Sequence, residues 1–203
     1  MARYTGPREK VARRFGVPLY GPSKALEIRN FPPGQHGVRN TRRKTSDYGT
    51  ALLEKQKLRF TYGVLERQFR RYFEEASRRK GVTGTLLLQT LELRLDNVVY
   101  RMGFANTRFA SRQVVGHRHV TVNGRVCNIA SYICKPGDVI AIKNTPRSQQ
   151  LANRFADLTQ GARMPDWTNV DRDKLTGTVT RAPEREEIDV FVNEQLVVEL
   201  YSR

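Results

Sequence analysis

A chain of 203 residues with 36 Lys plus Arg against 20 Asp plus Glu carries a formal charge of +16 and a pI near 10.4. Such a field draws polyanions, so nucleic acid and an anionic membrane surface are the partners to weigh first. The chain has no long apolar run, and its first residues, MARYTGPREK, lack the apolar core of a signal peptide, which leads to the expectation of a soluble, intracellular protein, in a cytoplasm or in an organelle's stroma or matrix.

Two cysteines, Cys127 and Cys134, cannot form a disulfide framework and suit a reducing compartment as small apolar residues. The charge is graded along the chain. Residues 1–80 hold 20 basic and 7 acidic side chains, residues 81–145 hold 8 and 3, and residues 146–203 hold 8 and 10. The polyanion is therefore expected against the first two thirds, and core or a protein neighbour against the last.

Residues 1–45 are rich in Gly, Pro and Arg. Five prolines between Pro7 and Pro33 deny this arm a long helix. It is expected to order against phosphate through Arg13, Arg14, Arg39, Arg42, Arg43 and Lys44, with Tyr4, Phe15, Tyr20 and Phe31 as packing or stacking groups. His36, within PPGQHG, reads as a turn residue or an RNA contact.

From Ser46, an N-cap, the pattern turns helical. Tyr48, Leu52, Gln56 and Phe60 recur at four-residue steps and leave Lys55, Lys57 and Arg59 outward. A second helix places Leu65, Phe69, Tyr72 or Phe73, and Ala76 on one stripe. Arg67, Arg70, Arg71 and Arg78 lie opposite, with Arg67 and Arg71 chosen as phosphate contacts.

A third helical stretch begins near Thr85 and carries Leu87, Leu91, Leu95, Val99 and Met102 as core, with Arg94, Asn97 and Arg101 on its other side. Gly103 stops it, and a short helix begins at Asn106 or Thr107. There Arg108 and Arg112 project together one turn apart, while Ala110, Val114 and Val115 face inward.

Asn123-Gly124 is a two-residue hairpin signal that pairs Val122 with Arg125, Val120 with Cys127, and His119 with Asn128. That register sets Cys127 across the sheet from His119. His117, His119, Cys127 and Cys134 then read as surface histidines and core cysteines rather than a zinc site, which needs converging ligands. Lys135 to Asp138 turn the chain into a strand over Val139–Ile142. Leu196 and Leu200, one turn apart, are the expected anchors of the C-terminal stretch, and Trp167 is expected in the core.

These segments carry a resemblance. PPGQHG at 32–37, EKQKLRFTYGVLERQF at 54–69, RLDNVVYRMGFA at 94–105, SRQVVGHRHVTVNG at 111–124, SYICKPGDVI at 131–140 and NEQLVVELYSR at the end resemble, in this order, the bacterial-type family of small ribosomal subunit protein four. The helix-helix-hairpin module alone also occurs in RNA-modifying enzymes and some tRNA synthetases; the flanking motifs give the resemblance its specificity. It implies an α+β fold, with a helical domain (46–93 plus 186–203) interrupted by an inserted RNA-binding module and following loops (94–185), after an extended basic arm (1–45).

By the same resemblance the protein is expected to be a structural constituent of the small subunit and no enzyme. It would bind the 5′ domain of small-subunit rRNA, nucleate assembly and influence decoding accuracy. It would sit beside small-subunit proteins three and five, near the point where mRNA enters, with no cofactor and no metal. The docking face implied for the module is Arg94, Arg101, Arg108, Arg112, Gln113, His117 and Arg118. Some relatives bind zinc through four cysteines in the arm, but residues 1–45 contain none. Ser111 stands where the family suggests Ala.

Two rival readings are weaker. An RNA-modifying enzyme would need a further catalytic domain, for which residues 146–203 are too few, and their acids have no His or Ser partner pattern. A membrane-surface protein would need a basic amphipathic helix with a broad exposed apolar face.

Overall fold

The computed structural model describes residues 4–38, 45–161 and 163–202. The chain divides into two compact units, residues 1–84 with 190–203 and residues 85–189.

The first unit opens with α1 (Arg8–Phe15) and α2 (Lys24–Ile28). Both are short, as the prolines require. Gly16, at φ 66°, ends α1 in the left-handed conformation, and the Ser23 hydroxyl accepts from Leu26 N to start α2.

In α3 (Asp47–Thr61) the Ser46 hydroxyl caps Gly49 N at 3.2 Å. The buried stripe differs from the expected one: Ala51, Lys55, Leu58 and Thr61 face inward, and Tyr48 is 57% exposed. Two causes rotate the helix. Lys55 can bury its methylene stem because its ammonium reaches Glu66 at 2.6 Å, and Phe60 turns towards the N-terminal segment, with ring centroids 5.1 Å from Tyr4 and 6.0 Å from Phe15.

α4 (Glu66–Arg78) buries Phe69 and Ala76 as expected from their spacing, and both Tyr72 and Phe73 rather than one of them, while Leu65 stands before the helix as its N-cap and is only half-buried. Each large apolar side chain removed from water there contributes roughly 1.5–3 kcal/mol.

The second unit starts within α5 (Thr83–Glu92), which is followed by α6 (Leu95–Arg101). The sequence pattern predicts one continuous helix; the structure breaks it at Leu93 and Arg94. Arg94 is extended (φ −65°, ψ 137°) and bridges Ile133. Leu95 N donates to Tyr132 O, and Cys134 N donates to Leu93 O, each at 2.8 Å. Long-range backbone pairing thus overrides a local apolar periodicity that runs unbroken through the gap.

α7 (Arg108–Gly116) follows, its first turn capped by the Thr107 hydroxyl on Ala110 N. Then come β1 (Val120–Val122) and β2 (Arg125–Val126). Asn123 and Gly124, at φ 50° and 80°, form the two-residue turn. Val122 pairs with Arg125, and Cys127 N donates to Val120 O at 3.1 Å, as the register predicts; β2 ends at Val126, short of the expected His119–Asn128 pair. β3 (Val139–Ile142) runs antiparallel to β1.

The stretch expected as loops holds α8 (Pro146–Leu158), β4 (Thr168–Asp171) and β5 (Thr176–Val179). The Asp171 carboxylate accepts from the backbone N–H groups of Asp173 and Lys174, each at 3.1 Å, and so shapes the β4–β5 turn. Among the described residues the strands form one antiparallel sheet in the order β2-β1-β3-β5-β4.

The core of this unit joins Leu95 and Val98 of α6, Met102 just after it, Val114 and Val115 of α7, and the inner faces of β1, β3 and β5. Trp167 lies within it, as expected. A Cβ at Gly177 would come within 2.7 Å of Met102 Sδ, so a larger residue there would require the Met102 side chain to move.

The chain then returns to the first unit in α9 (Glu194–Ser202). Val197, rather than the expected Leu196 and Leu200, is its buried residue. Tyr201 stacks on Phe73 and Phe69 at 4.6 and 6.1 Å between centroids. The helix meets its neighbours along the Val197–Tyr201 line because that line brings the largest aromatic ring inward.

Candidate nucleic-acid interface

In the first unit, Arg67 and Arg71 lie on the exposed side of α4 together with Arg78, opposite the buried aromatic stripe. Among the described residues none of these three has an ion-pair partner, whereas Arg70 pairs with Glu74 and Arg79 with Glu75. Arg14 and His36 are also exposed.

Other predicted contacts in this unit are committed to the fold. Arg13 donates from Nε to the carbonyls of Arg29 and Phe31, both at 3.2 Å, with its guanidinium 4.9 Å from the Phe31 ring centroid. It ties the end of α1 to the segment after α2. Lys57 pairs with Glu54, and Arg59 reaches Glu66 at 3.8 Å while lying over Phe60.

Lys55, expected outward, is buried, and its partner Glu66 also accepts from Tyr201 Oη at 2.8 Å. Burial pushes the Glu66 pKa up, but hydrogen bonds from Lys55 and Tyr201 and the charges of Lys55 and Arg59 outweigh it, leaving the carboxyl below its ordinary value. Arg39, Arg42, Arg43 and Lys44 lie outside the described residues.

In the second unit the expected docking face is built around two buried carboxylates. Arg94 is 0% exposed and grips Asp96 through Nε at 3.0 Å and a terminal nitrogen at 2.6 Å. Arg112, also buried, reaches the same carboxylate at 3.3 Å. Both, expected on the docking face, are found instead as buried supports, because the break between α5 and α6 turns Arg94 inward and α7 packs Arg112 against Asp96.

Glu92, 1% exposed, is the second carboxylate. Arg101 holds it with Nε to Oε2 at 3.0 Å and a terminal nitrogen to Oε1 at 2.8 Å. Asn97 Nδ2 donates to Oε2 at 2.6 Å, and Asn97 Oδ1 accepts from Arg108 Nε at 2.7 Å. The Arg108 guanidinium lies 4.8 Å from the Tyr100 ring centroid. Unlike Arg94 and Arg112, these two arginines stay at the surface, with 19% and 17% of their side chains exposed.

Gln113, His117 and Arg118 are exposed at the end of α7. Arg118 sits at φ 64°, a left-handed conformation that costs a non-glycine residue roughly 1–2 kcal/mol. The left-handed residue closes the C-terminus of α7, where Arg118 N donates to Val115 O at 3.0 Å and His119 N to Val114 O at 3.2 Å. Gln113 and His117 also line a half-open cavity of about 180 Å³ with Ala110, Val114, His119, Leu151 and Phe155. His119 Nδ1 lies 2.8 Å from the Ser148 hydroxyl. Burial, then the charges of His117 and Lys143, lower its pKa and favour the neutral ring.

No group of three or more His, Cys, Asp or Glu among the described residues is arranged to hold a metal ion. The sequence pattern did not reveal Glu92 and Asp96 as organisers. The clue available was their spacing from the arginines, two acids amid four basic residues between 92 and 112.

The family model described as Ribosomal protein S4/S9 N-terminal domain matches residues 3–92, and that described as S4 domain matches residues 93–140. The chain is 66% identical over 203 residues to the small ribosomal subunit protein uS4 of Akkermansia muciniphila, with 100% of both chains covered. Against the uS4 proteins of Porphyromonas gingivalis and Opitutus terrae it is 53% and 52% identical, again over 100% of both chains. These relatives are named as ribosomal proteins and not as enzymes.

Proposed function

Because this chain belongs to the uS4 family of small ribosomal subunit proteins, and is thereby a structural constituent of that subunit rather than an enzyme, we propose that it binds the 5′ domain of small-subunit rRNA directly and early in assembly. The observation that carries this reading is the division of its basic residues. One set, Arg67, Arg71 and Arg78, is exposed on α4 with no ion-pair partner among the described residues; another is clamped at the surface around Glu92.

The first set displaces condensed counterions along the phosphate backbone. The second, with Gln113, His117 and Arg118, meets one fixed arrangement of RNA strands. RNA helices are recognised mostly by shape and backbone, and a protein that binds one arrangement best shifts the RNA population towards it. Assembly is directed in this way without an active site.

The reading extends to contacts with small-subunit proteins three and five near the point where mRNA enters, to an effect on decoding accuracy, and to a cytoplasmic ribosome. The more acidic last third supplies the charge for a basic protein neighbour. A helical domain at 46–93 with 186–203, interrupted by 94–185, belongs to the same reading; the compact units found at 1–84 with 190–203 and at 85–189 support it. The test is affinity for a protein-free 5′-domain transcript and for an unrelated folded RNA of equal length, across salt. A preference for the 5′ domain that persists as salt rises is expected. Equal affinities that collapse together would overturn the proposal.

A further inference from the structure

We propose that Glu92 is a positioning residue for RNA selectivity: a buried negative charge that makes the module discriminate between RNAs by fixing Arg101 and Arg108 in one geometry. The inference rests on the rRNA-binding reading above and adds to it a residue that should oppose RNA binding on charge alone.

Three observations point to this role. Glu92 is 1% exposed and is the last residue of α5. A carboxylate there suffers both desolvation and the negative end of the helix dipole, so the position is unfavourable unless cations hold it. Each carboxylate oxygen is engaged by Arg101, and Oε2 also by Asn97. Finally, Asn97 passes the constraint on, since its Nδ2 is held by Glu92 Oε2 and by Glu92 O at 2.9 Å while its Oδ1 takes the Arg108 Nε proton.

The frame is anchored from behind. Asp96 pairs with Arg94 and Arg112, fixing the break between α5 and α6 and the seat of α7. Across that break the Arg101 side chain, from the end of α6, reaches back to Glu92 at the end of α5. Two long side chains that would each lose much rotamer freedom on meeting RNA are thus ordered beforehand. A pre-set pair of guanidiniums rewards an RNA whose phosphates already match it and gives an ill-matched RNA nothing extra.

Opposite expectations follow from charge and from geometry for Glu92→Gln in the full chain. Charge alone predicts tighter binding to every RNA, because one negative charge is lost. The positioning role predicts that affinity for the unrelated RNA holds or rises while affinity for the 5′ domain falls, reducing selectivity at least about tenfold, with no loss of salt slope.

Arg101→Lys is the companion variant. It keeps the charge beside Glu92 but cannot reproduce the two-point grip, so it should lower selectivity in the same direction while the chain still unfolds in one cooperative transition above the temperature of the binding assay. If Glu92→Gln fails to fold, Arg101→Lys decides the matter. Selectivity retained in Arg101→Lys overturns this inference alone. No selectivity in the wild-type chain would overturn the rRNA reading and this inference with it.

Discussion

The exposed face of α4 and the arginine network of the module hold their basic side chains in opposite ways. On α4, Arg67, Arg71 and Arg78 stand in solvent with no ion-pair partner among the described residues, and Glu66, the carboxylate that holds Lys55 and Tyr201, is 43% exposed. In the module, four arginines converge on two carboxylates with 1% and 6% of their side chains exposed. An unpaired surface arginine contributes long-range attraction that any polyanion can use. A clamped one contributes direction as well, at the cost of burying a carboxylate beside it. Counting Arg and Lys residues, as composition does, cannot separate the two.

The comparison is broken most severely by Asp96→Ala. Removing the carboxylate from two buried guanidiniums should destabilise the module by about 3–5 kcal/mol, read as a lower midpoint in urea unfolding. A change below about 1 kcal/mol, the range of a surface pair, would show that the buried network is not structural.

Arg118→Gly sharpens the contrast from the other side. Relief of the left-handed strain should raise stability by about 1 kcal/mol while RNA affinity falls. A variant that gains stability with undiminished affinity would remove Arg118 from the interface.

Acid should act on the first unit through Glu66. Its folded pKa lies below the ordinary value of 4.5, so its contribution is fully present above that value and is lost as pH falls through the folded pKa. Half-exposure screens the effect to below about 1 kcal/mol. Comparing acid unfolding of wild type and Glu66→Gln, the variant should lack this part of the loss; identical curves would contradict the Glu66–Lys55–Tyr201 assignment.

Replacing Arg67, Arg71 and Arg78 by Ala should alter stability least, within about 0.5 kcal/mol. Each lost phosphate contact should lower the salt slope by roughly 0.7–0.9.

What the sequence revealed followed the range of the interactions involved. The α4 stripe, the Ser46 and Thr107 caps and the hairpin register around Asn123-Gly124 depend on residues a few positions apart, and all appear as expected. The break at Arg94 depends on Ile133 and Tyr132, nearly forty residues away, while Leu87, Leu91, Leu95 and Val99 keep their helical spacing across it. β4 and β5, reading TNVD and TGTV, are too short and polar to announce themselves by alternation.

The site was legible in composition but not in detail. Arg101, Arg108, Gln113, His117 and Arg118 lie at or near the surface, whereas Arg94, Arg112 and Lys55 do not. Charge type says what a side chain could bind; only its carboxylate partners say whether it is available. Those partners, Asp96, Glu92 and Glu66, read locally as ordinary helix residues.

The most direct test of the division between attraction and geometry uses the wild type and the Arg67→Ala, Arg71→Ala, Arg78→Ala triple variant. Affinity for the 5′-domain transcript and for an unrelated folded RNA of equal length would be measured across salt concentrations. The account predicts that the variant loses affinity for both RNAs by the same factor, with a shallower salt slope and an unchanged ratio between them. A ratio that collapses while the slope stays constant would contradict it, because the exposed face of α4 would then be reading the RNA rather than merely attracting it.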